Sequence, residues 1–129
     1  MSLQEPLTKK ELLTIAHHLG FTLVETQMQQ EHCLPPVIYT HPDTSRFFNE
    51  AEILLHLNSD KFFVHLLNEL SINFKWVSDA TVECYAIIIE TTVTSTYGYH
   101  DAALRTLLET TDLDEVAKIK FIEPSIPYR

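Results

Sequence analysis

The sequence is short of glycine, and this excludes one group of binding sites. Among the 129 residues, only Gly20 and Gly98 are glycines. Loops that cradle nucleotide phosphates need several glycines close together, because the backbone must approach the phosphates without a Cβ in the way. Two glycines so far apart cannot form such a loop. No other cofactor motif is present, so we expect no cofactor.

Cysteine is equally scarce, and histidine does not compensate for it. The chain has Cys33 and Cys84 only. A structural zinc site usually shows paired cysteines, or cysteine with histidine, at short intervals. The group formed by His32, Cys33, His41 and Asp43 offers suitable ligand atoms but does not have that spacing. We therefore expect no metal site.

Basic residues are half as numerous as acidic ones. The chain has nine Lys and Arg against eighteen Asp and Glu, a net charge of −9. Nucleic acids and anionic membranes bind through Lys and Arg, so neither is an expected partner. Between residues 76 and 117, Arg105 is the only Lys or Arg. An acidic surface attracts a basic protein partner, although it also serves simple solubility.

Long hydrophobic runs are missing as well. The longest extends only from Tyr85 to Ile89, whereas a transmembrane helix needs about 20 apolar residues. The first residues show no basic region followed by an apolar one, the pattern of a signal peptide. We expect a cytoplasmic protein, with export without a cleaved signal as the alternative, and two free thiols.

Local signals predict alternating helices and strands. Thr8 and Glu11 form a capping box that begins a helix over 9–19, and Gly20 suits the position after its end. Further helices are predicted over 46–57, 61–70, 101–109 and from Asp112 to about 118. Strands are predicted over 21–28, 37–40, 72–76 and 118–122, with a turn over 42–45.

One segment, residues 81–96, supports two interpretations. Its Thr, Val, Tyr and Ile content favours a strand, while Val82, Ala86, Ile89 and Val93 also fall at helical spacing. We interpret the segment as strand and keep helix as the alternative. The sequence then predicts one α+β domain over 1–129, with four to five helices packed on a mostly antiparallel sheet. Residues 1–6 and 124–129 are predicted to be extended tails.

No arrangement in the sequence identifies an enzyme. Cys33, His100 and Asp101 supply the residue types of a thiol enzyme, and Glu83 and Glu90 those of a carboxylate pair. Yet an Asp that follows a His in sequence does not lie behind its ring, and no catalytic signature surrounds Cys33. We assign no catalytic residue. A small hydrolase or transferase, with a Cys/His or carboxylate site assembled only in the fold, remains the alternative.

The most promising recognition residues lie in the acidic half of the chain. Tyr97 and Tyr99 flank Gly98, and tyrosine gives a large contact area with a polar tip, although such rings also pack in cores. We predict a non-enzymatic protein-interaction module, a small acidic inhibitor, adaptor or chaperone-like accessory. Its predicted partner is another protein with a basic surface, or a second copy in a homodimer. The predicted binding residues are Tyr97, Tyr99, Asp112, Asp114 and Glu115.

Overall fold

Helices and two small antiparallel sheets alternate along the chain. The computed structural model describes residues 4–24 and 38–124. In order, the elements are α1 (Lys9–His18), β1 (Thr22–Val24), β2 (Ile38–His41), β3 (Thr44–Asn49), α2 (Glu50–Leu57), α3 (Asp60–Leu70), β4 (Ile72–Trp76), β5 (Val82–Ala86), β6 (Thr91–Ser95), α4 (Tyr99–Glu109) and α5 (Leu113–Ala117). The predicted α+β class is confirmed. The prediction of one sheet is wrong, because these strands form two three-stranded sheets.

The first helix follows the capping signals closely. The Thr8 hydroxyl accepts a hydrogen bond from the Glu11 N–H, and the Glu11 carboxylate accepts one from the Thr8 N–H. At the other end, the Gly20 N–H donates to His17 O and the Phe21 N–H to Ala16 O. These two bonds form a Schellman motif, in which Gly20 takes the left-handed conformation with φ +106°.

The first sheet has the order β1-β2-β3, and its third strand corrects one prediction. Residues 46–49 belong to β3, so the helix predicted over 46–57 begins only at Glu50. Phe48 pairs with Tyr39 and is 1% exposed, which fixes this stretch in the sheet. Asn49 and Glu52 then form a second capping box, with bonds of 2.8 and 2.9 Å. The chain therefore changes from strand to helix at Asn49.

The second sheet, β4-β5-β6, resolves the ambiguous segment. Residues 81–96 contain two strands, β5 and β6, joined by a tight turn, so the helical alternative is wrong. Val82, Cys84 and Ala86 are buried and alternate with more exposed residues, a period of two that only a strand produces. Glu90 has a positive φ of 47°, which allows the chain to reverse.

The core lies between the helices and the sheets. α4 packs on β5 and β6, and α1 contacts both α2 and α4. Fully buried aliphatic side chains from α1 to α4 fill the space between them. Examples are Ile15, Ile53, Leu57, Leu66 and Leu107.

The strand predicted over 118–122 is wrong, because this part of the chain forms no ladder. Residues 118–124, called here the C-terminal segment, instead lie across α3. Lys120 O accepts from His65 Nε2 at 2.5 Å, and the Lys120 N–H donates to Glu69 at 2.6 Å. Phe121 packs beside His41, with ring centroids 4.3 Å apart. The alternation of apolar and polar residues over 118–122 therefore arises because one side of this extended segment is buried, and it does not indicate strand pairing.

Candidate functional site

The predicted binding residues lie in two groups, one at the amino end of α4 and one just beyond its carboxyl end. Tyr97 and Tyr99 lie at the amino end of α4, on either side of its N-cap Gly98. Asp112, Asp114 and Glu115 begin α5, beyond the carboxyl end of α4. An eleven-residue helix is about 16 Å long. The structure therefore does not bring the tyrosines and the carboxylates into one contact surface.

Two of the three carboxylates have local structural roles. The Asp112 side chain caps α5 by accepting a hydrogen bond from the Glu115 N–H at 3.3 Å. The Glu115 carboxylate forms an ion pair with Lys118 at 3.0 Å. Asp114 is exposed. The group contributes negative charge to this end of the molecule, as the sequence indicates, but only Asp114 is fully available to a partner.

The two tyrosines also have different surroundings. The Tyr97 hydroxyl donates a hydrogen bond to Gln4 O at 2.8 Å, so this ring holds the chain's own N-terminal residues. The Tyr99 hydroxyl instead accepts a hydrogen bond from Trp76 Nε1 at 2.7 Å. The Tyr99 ring also lies 4.6 Å from the Phe74 ring, measured between centroids.

Trp76 and Tyr99 form an exposed aromatic pair at the edge of the second sheet. Their ring centroids are 5.6 Å apart, in edge-to-face geometry. Despite this contact, Trp76 is 51% and Tyr99 42% exposed. The sequence predicts Trp76 as one residue of a half-buried strand. Its exposure has no local signal, because it depends on how far α4 extends over the sheet.

The strand beneath this pair has one side that is unpaired among the described residues. Within residues 4–24 and 38–124, β4 is an edge strand that pairs with β5 and with no other strand. The Val77 N–H donates to Thr81 O just beyond the paired residues, so the ladder bonds of β4 fall on its odd-numbered residues. The backbone N–H and C=O groups of Ile72, Phe74 and Trp76 therefore point away from β5. We call this side of β4, with Phe74, Trp76 and Tyr99, the aromatic edge.

Two of the three side chains in the thiol-enzyme alternative, those of His100 and Asp101, have other partners. His100 Nε2 lies 2.8 Å from Leu57 O. Asp101 accepts hydrogen bonds from Arg105 Nε and from the Ser95 hydroxyl, both at 2.5 Å. The third member, Cys33, lies outside the described residues.

The second cysteine is a core residue, as its fully buried side chain shows. Cys84 lies in β5, is 0% exposed and belongs to a buried cluster with Val82, Val93 and Ala102. Burial raises the pKa of its thiol to about 12, because a thiolate loses its hydration there. At neutral pH the Cys84 side chain is therefore a neutral thiol and a poor nucleophile.

The carboxylate pair does not converge either. Glu83 lies in β5 opposite Lys75, whereas Glu90 lies in the turn that follows β5. That turn begins about 13 Å farther along the sheet than Glu83. The structure therefore gives no shared cleft for these two residues.

Over residues 4–24 and 38–124, no group of three or more His, Cys, Asp or Glu side chains is placed to hold a metal ion. His41 uses both ring nitrogens within the protein. Its Nε2 donates to Leu19 O at 2.9 Å, and its Nδ1 accepts from the Asp43 N–H at 3.1 Å. His32 and Cys33, which belong to the same group of possible zinc ligands as His41 and Asp43, lie outside the described ranges.

A shallow groove of about 580 Å³ runs along the exposed side of α1. The described residues that line it all belong to that helix, among them Leu13, Thr14 and His17. Within the described part of the chain, polar groups from different elements therefore do not converge there, as they do in most small-molecule sites. The aromatic edge is the stronger candidate for a binding surface.

None of the helices in the described ranges is long and apolar enough to cross a membrane. Comparison of the chain with protein-family models, with curated proteins and with solved structures finds no match.

Proposed function

We propose that this protein is a non-enzymatic interaction module that binds another protein through the aromatic edge. It would act as a small acidic inhibitor, adaptor or chaperone-like accessory of that partner. The observation that carries the proposal is the exposed Trp76–Tyr99 pair beside the unpaired side of β4.

The chemistry of this surface suits a protein partner. Trp and Tyr are the residues that most often dominate binding energy at protein interfaces. The hydrogen bond from Trp76 to Tyr99 holds both rings in place before binding, which lowers the entropy lost on association. The free N–H and C=O groups of β4 can pair with an extended segment of the partner, which then adds a strand to the sheet.

The charge of the chain favours a basic partner over a second copy. With a net charge of −9, two copies repel each other, whereas a basic surface is attracted. Asp112, Asp114 and Glu115 lie about the length of α4 away from the aromatic edge. We therefore assign them a role in long-range attraction during encounter rather than in direct contact.

Replacing the aromatic anchor should mainly accelerate dissociation. We expect Trp76→Ala to raise the dissociation rate constant about ten- to a hundredfold. The Trp76 ring contributes binding energy only once it is buried in the complex, so its loss affects dissociation more than association. Tyr85→Ala is the matched control, since Tyr85 is also exposed but points to the outer face of β5. Surface plasmon resonance against the partner isolated from the native host gives both rate constants. Equal dissociation of wild type and Trp76→Ala would contradict the proposal.

Neutralising the distant carboxylates should slow association instead. We expect the triple variant Asp112→Asn, Asp114→Asn and Glu115→Gln to lower the association rate constant about threefold at low salt. Its effect should vanish near 0.5 M salt, where charges are screened within about 4 Å. The same binding assay measures this, with circular dichroism to check α5, which loses the Asp112 cap. Binding that strengthens with salt would exclude a basic partner.

A further inference from the structure

The opposite edge of the second sheet is already occupied, by the chain's own N-terminal residues. The Gln4 Nε2 donates to Thr94 O at 2.9 Å, and the Thr96 N–H donates to Gln4 Oε1 at 2.7 Å. The Thr96 hydroxyl reaches the same oxygen at 3.2 Å. The carboxamide of Gln4 thus takes the place of a backbone peptide group beside β6.

Two further donors hold the backbone of the same residues. The Tyr97 hydroxyl donates to Gln4 O at 2.8 Å, and Arg105 Nη2 donates to Glu5 O at 2.6 Å. Arg105 is only 8% exposed. Its guanidinium is fixed from the other side by Asp101, at 2.5 Å. This donor is therefore buried and preorganised, and it needs an acceptor from an extended segment.

The arrangement selects for a carboxamide at the first position, which Gln4 supplies. Thr94 offers a carbonyl acceptor and Thr96 an N–H donor. The bound side chain must therefore donate to Thr94 and accept from Thr96. No charged or apolar side chain does both, whereas a carboxamide has a donor and an acceptor on one planar group. Glutamate would place a carboxylate oxygen against Thr94 O, and an apolar side chain would leave both β6 groups unpaired.

We infer that Thr94, Thr96, Tyr97 and Arg105 form a peptide-binding site for an extended segment that carries glutamine. We call it the glutamine site. Gln4 and Glu5 are its occupant in cis, and a glutamine-bearing segment of another polypeptide competes with them. The site lies on β6, at the opposite edge of the sheet from the aromatic edge, so it is independent of the function proposed above.

A segment of another polypeptide can replace Gln4 and Glu5 in the glutamine site. Hydrogen bonds to two consecutive residues, Gln4 and Glu5, hold the segment at this edge, and most of these bonds lie at the exposed surface. The next anchor along the chain is Leu7, which packs against the main core. Exposed hydrogen bonds open locally at little cost, so Gln4 and Glu5 can leave the edge while Leu7 stays in place. A ligand in trans must still overcome the effective concentration of the linked segment, so removing the Gln4 side chain should uncover its binding.

The test uses the full-length protein with Gln4→Ala and a labelled peptide that copies residues 2–8. We expect fluorescence anisotropy to show that Gln4→Ala binds this peptide at least about tenfold more tightly than wild type does. Peptides with Glu or Ala in place of the glutamine should bind the variant at least about fivefold more weakly. Equal binding of all three peptides, or no binding by a folded Gln4→Ala protein, would overturn the inference.

A second substitution shows whether the peptide occupies this site. In the Gln4→Ala protein, Tyr97→Phe removes the hydroxyl that donates to the first backbone carbonyl, and we expect about fivefold weaker peptide binding. Tyr85→Phe is the matched control on the outer face of the sheet and should change nothing. An equal loss in both variants would overturn the assignment. If light scattering shows a wild-type dimer that Gln4→Ala dissociates, the ligand in trans is the N-terminal segment of a second copy.

Discussion

Lowering the pH from 6.5 to 4 should reduce the free energy of unfolding by about 3 kcal/mol through His56 alone. The side chain is 3% exposed, and its Nδ1 has no hydrogen-bond partner among the described residues. Burial lowers the pKa of His56 from 6.5 to about 4, helped by the positive charges of Lys61 and His65 and opposed by Glu123. The folded protein therefore holds the neutral ring.

The sign follows from where the proton binds. Below about pH 6.5, His56 takes up a proton in the unfolded chain but stays neutral in the folded protein. The unfolded state thus gains stability as the pH falls. The contribution of the neutral His56 ring to the free energy of unfolding is fully present above pH 6.5. It declines between pH 6.5 and pH 4 and is lost at about pH 4.

Urea unfolding across this pH range measures the effect, with His56→Leu as the comparison. Carboxylates also titrate near pH 4 and contribute in both proteins, so the difference between the two pH dependences isolates His56. We expect the wild-type free energy of unfolding to fall by about 3 kcal/mol more than that of the variant. Parallel curves would show that His56 is not kept neutral by the fold.

Replacing Gly20 by alanine should reduce the free energy of unfolding by about 3 kcal/mol. Gly20 ends α1 with φ +106°, a conformation that alanine rarely adopts. An added Cβ would also lie 2.9 Å from His41 Nε2. That ring cannot move away easily, because hydrogen bonds to Leu19 and Asp43 hold both nitrogens and Phe121 packs against it.

Gly98→Ala would show the effect of backbone strain alone, but it is not a matched control. Gly98 has φ +101° and ψ −172°, a region that only glycine adopts readily, and an added Cβ would meet no atom within 4 Å. Combining Gly20→Ala with His41→Ala separates the two effects, because the double variant keeps the strain at position 20 and lacks the ring. Urea unfolding should show a smaller loss from Gly20→Ala in the His41→Ala background than in the wild type. Equal losses would show that the contact with His41 contributes nothing.

Features with local causes could be predicted from the sequence. The capping box at Thr8 and the glycine after α1 involve residues within a few positions of one another, and both appear in the structure. The second capping box, Asn49 with Glu52, has the same local pattern and marks the start of α2. The prediction of a helix from residue 46 failed because Phe47 falls at helical spacing with Ala51 and Leu54, whereas the pairing that keeps residues 46–49 in β3 comes from β2.

Features set by distant parts of the chain could not be predicted. Alternation over 118–122 resembles a strand, but whether a partner strand is available depends on the whole fold. The exposure of Trp76 and its bond to Tyr99 depend on the docking of α4. Gln4 lies in a predicted tail, and its partner Thr94 is 90 residues away. Of the predicted binding residues, only Tyr99 contributes to the aromatic edge.

The order of the strands bears on how the molecule assembles. β4, β5 and β6 follow one another along the chain and pair in that same order through short turns, so this sheet closes only small loops. Contacts of low sequence separation form fastest during folding. The bonds from Gln4 to β6 join residues 90 apart and require the completed sheet. We therefore expect the glutamine site to form before its own occupant arrives, and a newly folding molecule to pass through a state in which the site is open to a competing segment.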